Sequence, residues 1–232
     1  MDKHILKLEN VNKIYGTVVK THALKDLSLT IGESSFNAII GQSGSGKSTL
    51  LNIIGALDNP TSGKVYINDK DISEMKTNQL ADVRNQTLGF IFQFHYLLPE
   101  FTTMENVLMP YWMNNINPPK EIIDKANYLL DKMGLSEVKE KLTTQISGGQ
   151  QQRTAIARSL INNPRLILAD EPTGNLDSEN TKTVYDLLRD INKEFGTTFI
   201  LVTHDQRVAE MADRIIELKD GIIKMDVRND VQ

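Results

Sequence analysis

Eight consecutive residues constrain this chain more than any other stretch. Gly41-Gln42-Ser43-Gly44-Ser45-Gly46-Lys47-Ser48 follows the strand-like run Phe36–Ile40 and opens an apolar-periodic helix, roughly Lys47–Leu57. The pattern G-x-x-x-x-G-K-[ST] between a strand and a helix is a phosphate-binding loop. Its glycines let backbone N–H groups turn inward around a phosphate chain. The helix start adds partial positive charge at the same point. Lys47 supplies a point charge for the β- and γ-phosphates of ATP, the Ser48 hydroxyl is placed to ligate Mg²⁺, and Thr49 completes the phosphate-facing set.

The surrounding pattern fits an α/β chain. Short β-type runs, Ile5–Val11, Ala23–Ile31 and Phe36–Ile40, precede the loop, and Lys64–Ile67 and Leu88–Phe92 follow it. From about residue 94 to 163 helical patterns dominate, including Lys120–Met133. Buried-strand runs then return at Arg165–Ala169 and Thr197–Thr203, separated by an amphipathic helix near Ser178–Glu194. The expectation is a P-loop NTPase core over 1–93 and 164–232, with a mainly parallel sheet, helices on both faces and an N-terminal antiparallel β region. A helical subdomain over 94–163 interrupts it within one domain, 1–232.

The run Leu166–Ala169 ends in Asp170-Glu171. An aspartate at such a strand end holds Mg²⁺ in P-loop enzymes, and Asp170 fits. Side chains alternate along a strand, so Glu171 is free to face a water in line with the γ-phosphate and act as general base. The second buried strand ends at His204, which could contact the γ-phosphate and orient that water. Alone, the acids could be a solvated turn and the histidine an ordinary surface residue.

A second anion-facing helix start lies about a hundred residues after the first. Ser147 is a natural N-cap, and Gly148 and Gly149 allow close approach of an anion to backbone N–H groups, with Gln150 following. One chain does not easily wrap both helix starts around one ATP. Two chains placed head to tail can do so, each giving its loop to one ATP and its Ser-Gly-Gly segment to the other.

Taken in order, these motifs resemble the ABC ATPase family across nearly the whole chain. Tyr15 matches the adenine-stacking aromatic, although such a residue is as readily ordinary packing. Gln93 matches the Q-loop glutamine, Ser147–Gln150 the signature, Asp170-Glu171 the Walker B end, Asn175-Leu176-Asp177 the D-loop, and His204 the switch histidine. Ile146 stands where the signature usually opens with leucine. The resemblance implies that Gln93 touches Mg²⁺ or the attacking water, that Asp177 sits at the seam of an ATP-bound homodimer, and that the dimer drives integral membrane permease subunits.

Two stretches resemble one branch in particular. Asp170–Ser178, DEPTGNLDS, is similar to the branch containing MacB-type macrolide exporters and LolD-type lipoprotein-releasing ATPases. Phe92–Pro110, FQFHYLLPEFTTMENVLMP, is most similar to the LolD type. That implies lipoprotein release or MacB-like transmission of force, with export of a peptide or drug as the alternative and a soluble, non-transport ABC ATPase as a remote one. Part of His95–Met113, with Met104, Met109 and Met113 and the Tyr96-Leu97-Leu98 segment, could line a groove for a short partner helix. The same residues could equally form helical core.

Composition narrows the rest. A net charge of −4 argues against a sequence-independent nucleic-acid binder, and none is expected as a partner. The absence of cysteine excludes disulfides and thiol chemistry. No apolar run nears the ~20 residues that span a bilayer, and the N-terminus lacks a secretory pattern. The expected location is therefore peripheral, at the cytoplasmic face of the plasma membrane, with a partner as anchor.

Overall fold

The computed structural model describes residues 3–174 and 178–229. In chain order the first half contains β1 (His4–Tyr15), β2 (Thr21–Gly32), β3 (Phe36–Ile40), α1 (Lys47–Ile54), β4 (Ser62–Ile67), β5 (Lys70–Asp71), α2 (Thr77–Gln86) and β6 (Leu88–Phe92). Then come α3 (Thr103–Trp112), α4 (Lys120–Lys132), α5 (Gly148–Leu160), β7 (Leu166–Asp170), α6 (Ser178–Phe195), β8 (Thr198–Val202), α7 (Gln206–Glu210), β9 (Arg214–Lys219) and β10 (Ile222–Arg228).

Two sheets form, as the sequence suggests. One is antiparallel in the order β2-β1-β4-β5. The other has six strands in the order β10-β9-β3-β8-β7-β6, parallel except for the β9–β10 hairpin. Strands β3, β7 and β8 are nearly continuous apolar runs because they lie inside the parallel sheet, covered on both faces.

The two-residue period of these strands divides the interior into two cores. Phe36, Ala38, Ile167, Ala169, Phe199 and Leu201 face the layer of α3, α4, α5 and α6. Ile39, Leu166, Leu168, Ile200 and Val202 face the other way, toward α1 and the antiparallel sheet. Helix α1 lies between the sheets, touching β2 and β4 on one side and β7 and β8 on the other. Its Leu50, Leu51, Ile53 and Ile54 are buried, and burial of each such side chain is worth roughly 1.5–3 kcal/mol.

Most boundaries shift by one to four residues from the sequence expectation, three of them for identifiable reasons or with consequences for the site. Helix α1 stops at Ile54 instead of Leu57, because Gly55 caps it and Ala56 takes a φ of 52°. The β7 strand runs to Asp170, not Ala169. Strand β1 continues to Tyr15, with register shifts near Val11 that mark bulges.

Candidate nucleotide site

Strand register assembles the site. Phe92, Asp170 and Val202 lie side by side on β6, β7 and β8, and Val202 pairs in turn with Ile39 of β3. The carboxyl ends of four parallel strands thus share one edge, where ligands bind in open α/β sheets. Gly41, Gln93, Asp170, Glu171 and His204 are all carried to that edge within two residues of a strand end.

The loop after β3 is shaped by backbone that side chains do not tolerate. Gly41 has a φ of 154°, and a Cβ there would stand 2.2 Å from Leu218 O. Gly46 has a φ of 106° and would place a Cβ 2.6 Å from Ala23 O. Gly46 is also the N-cap of α1, so no side chain caps that helix, and its first turn carries no acid. Gln42, Ser43, Gly44 and Ser48 are exposed around it, and Thr49 is half-buried. Ser45 is buried, and its Oγ has no hydrogen-bond partner among the described residues. Lys47 Nζ donates to Gly41 O at 2.7 Å and to Gln42 O at 2.9 Å. Its ammonium thus sits on the loop's own carbonyls, which a phosphate chain would have to displace.

Across the edge, β7 ends at Asp170. Burial, and secondarily the neighbouring Glu171 charge, push its carboxyl above the usual range, while Lys47 opposes the shift. A further cation beside this carboxylate would oppose that shift. With the Ser48 hydroxyl and the Gln93 amide the carboxylate offers the all-oxygen donor set that suits Mg²⁺, so the residues fit that ion. Gln93 reaches toward the same turn, for a Cβ on Gly174 would lie 2.9 Å from its Nε2.

Glu171 is not part of the pleat. Its φ is 47°, a conformation that costs a non-glycine residue ~1–3 kcal/mol. A left-handed step, rather than strand alternation, therefore separates the two carboxylates. Glu171 N continues the ladder by donating to Val202 O at 2.9 Å. His204 Nδ1 lies 2.8 Å from Glu171 Oε1, and Thr203 Oγ1 donates to Oε2 at 3.5 Å. When the carboxylate is ionised it only accepts, and this bond then needs the imidazole proton on Nδ1. The sequence assigned His204 and Glu171 separate tasks. The register instead brings them together, with the His204 side chain 75% exposed and that of Glu171 only 18% exposed.

Ser147 caps α5 as expected, with a full capping box. Its Oγ accepts from Gln150 N at 3.3 Å, and its N donates to Gln150 Oε1 at 2.9 Å. Ser147 and Gly148 are exposed and Gly149 half-buried. A Cβ on Gly148 would meet nothing within 4 Å, so the space in front of this helix start is open. Asn175, Leu176 and Asp177 lie outside the described residues.

Tyr15 stands beside the loop helix. Its hydroxyl donates to Asp58 Oδ2 at 2.8 Å, and Lys13 Nζ lies 4.9 Å from the ring centroid. Thr49 is also within hydrogen-bonding reach of the phenol, which burial holds above its ordinary pKa. Tyr15 is 40% exposed as a residue, and an aromatic face is a surface on which a base could stack.

The segment after Gln93 divides. Met104 packs against the helical core, whereas Met113 is exposed and lines a groove of about 320 Å³ with Leu57, Arg84, Phe90, Phe92 and Arg158. Tyr96, Leu97 and Leu98 do not line it; the buried Asn106 holds the backbone N and O of Leu98. The sequence reading overlooked Arg158, whose guanidinium donates to His95 O at 2.5 Å and Tyr96 O at 2.6 Å. His95 and Tyr96 are consecutive residues of positive φ, 60° and 47°. Burial of Arg158 pushes its pKa down to about 10.

A glycine loop feeding an uncapped helix, opposite an acidic strand end, is the nucleotide-binding arrangement of P-loop proteins. A family model described as ABC transporter matches residues 24–174. The lipoprotein-releasing system ATP-binding protein LolD 1 of Rhodopseudomonas palustris is 48% identical over 94% of this chain and 98% of its own. LolD of Shewanella frigidimarina is 46% identical over 95% and 92%. Among solved structures, the dimeric post-hydrolysis state of the ATP-binding cassette MJ0796 bound to ADP and Pi superposes with a TM-score of 0.87, at 42% identity over 96% of this chain and 98% of that one. This chain belongs to the ABC transporter family and is an ATPase.

Proposed function

We propose that the chain is the ATPase subunit of a lipoprotein-releasing transporter, working as a homodimer that closes on two ATP molecules and drives integral membrane permease subunits. The observation that carries this reading is the exposed Ser147 helix start, where a Cβ added at Gly148 would meet nothing within 4 Å. A partner copy in head-to-tail orientation would fill that space. The dimeric structure of MJ0796 bound to ADP and Pi supports a dimer, and the two LolD relatives support the cargo.

In this reading the backbone N–H groups of residues 41–49 and Lys47 hold the β- and γ-phosphates, while Tyr15 stacks on adenine. Ser48, Asp170 and Gln93 would hold Mg²⁺. Bound Mg²⁺ neutralises charge on the transferring phosphoryl group. Glu171 takes the proton of the attacking water, and His204, bonded to the Glu171 carboxylate at 2.8 Å, orients that carboxylate. Ser147 to Gln150 and Asp177 complete the partner's site. The helices of 94–163 act as a subdomain, and the groove beside Met113 accepts a short segment of the permease. No described helix is long and apolar enough to cross a membrane, so the permease would hold the subunit at the cytoplasmic face.

Glu171→Gln tests the chemistry. A neutral amide cannot take the proton, so turnover should fall by roughly 10²–10⁴-fold while ATP binding persists and an ATP-locked dimer accumulates. Wild-type turnover in this variant would remove Glu171 from the base role. The cargo is tested by purifying the subunit with its permease in vesicles and measuring ATP-dependent release of a lipoprotein. Export of a peptide or drug without such release would sink that assignment.

A further inference from the structure

Helix α5 reaches the catalytic corner from behind. Gln152, about one turn in, is 1% exposed, and its Nε2 donates to Pro172 O at 2.6 Å. Pro172 directly follows Glu171, and Gly174 N donates to Glu171 O at 3.0 Å. The bond from α5 thus joins those from Gly174 N to Glu171 O and from Glu171 N to Val202 O in holding the turn that carries the Glu171 carboxylate. Glu171 has a φ of 47°, which a non-glycine residue keeps only when its surroundings hold it there.

Gln152 also occupies a position where core is expected. Ala155, Ile156 and Ser159, three, four and seven residues later, are buried on the same face. Methionine or leucine would fill this position without burying a polar group. The amide is present instead, although its Oε1 has no hydrogen-bond partner among the described residues. Burying an unpaired acceptor is unfavourable, and among the described residues the bond to Pro172 is what the amide gains in return.

We propose that Gln152 is a positioning residue for Glu171: its amide fixes the Pro172 carbonyl and, through that turn, the direction of the carboxylate. The proposal rests on Glu171 being the general base. It also ties the Ser147 helix start to the base of the same chain, so an anion docked on one copy's α5 acts on that copy's own Glu171.

The test compares Gln152→Met and Gln152→Leu with wild type in the purified full-length subunit. Methionine and leucine both fill the apolar position without a donor for the Pro172 carbonyl. Both should lower kcat by roughly ten- to a hundredfold, with KM for ATP unchanged, and Gln152→Met should melt no lower than wild type. The double variant Gln152→Met/Glu171→Gln should still form the ATP-locked dimer. Wild-type kcat in both Gln152 variants, alongside an inactive Glu171→Gln, would overturn the proposal and leave the base assignment standing. A parallel loss of kcat, ATP affinity and melting temperature in Gln152→Met would reduce Gln152 to a packing role and also overturn it. An active Glu171→Gln would remove the premise and the proposal with it.

Discussion

The molecule presents two helix starts that could receive an anion, and they are built in opposite ways. Helix α1 begins at Gly46 with no side-chain cap, so its first N–H groups and the glycine loop are left for a ligand. Helix α5 begins at Ser147 with both halves of a capping box closed. The first is anchored between two sheets and fails as a shape if its glycines change. The second is self-sufficient as a helix end and exposed to solvent. A preformed site for the chain's own nucleotide should resemble α1. A surface that must stay folded until a partner brings the phosphate should resemble α5.

Substitutions can break this contrast, and the largest effect is expected at Gly41. In Gly41→Ala the new Cβ meets Leu218 O at 2.2 Å with φ at 154°. The loop should lose its shape at a cost of about 3 kcal/mol, abolishing nucleotide binding in a titration with a fluorescent ATP analogue. Ser147→Ala removes only a cap and should cost about 1 kcal/mol. That is a fall in melting temperature of roughly 2–4 °C for a chain of this size, with ATP affinity of the isolated subunit intact. Gly148→Ala should change stability by less than about 0.5 kcal/mol, because nothing lies within 4 Å of its added Cβ. It should nonetheless reduce turnover, by placing a methyl group between α5 and the partner's phosphate. Full turnover there would mean that the helix start never meets a phosphate.

What the sequence revealed and what it hid have separate physical causes. Strands β3 and β6 were legible to the residue because each is a short, mostly apolar run that stops at a loop residue, Gly41 or Gln93. Helix α2 was not, since Leu80 is its only buried residue and no stripe marks it. The hairpin of β9 and β10 was also missed. Most of β10 is exposed, and the hairpin's place beside β3 is set by pairing with residues far away in the chain. At the site, the glycine loop and the acidic pair were readable because their chemistry is local. The bond between His204 and Glu171 was not, because it depends on the register of β7 against β8. Gln152 did carry a readable signal, a polar residue on the apolar stripe of Ala155 and Ile156, which passed as part of the signature's polar run.

The enclosure of α1 has a mechanical consequence. A rod gripped by a sheet on either side has no travel of its own, so the phosphate-binding end of this subunit is its frame and cannot be its lever. Whatever stroke ATP produces must be made by the remainder of the machine swinging about that fixed post.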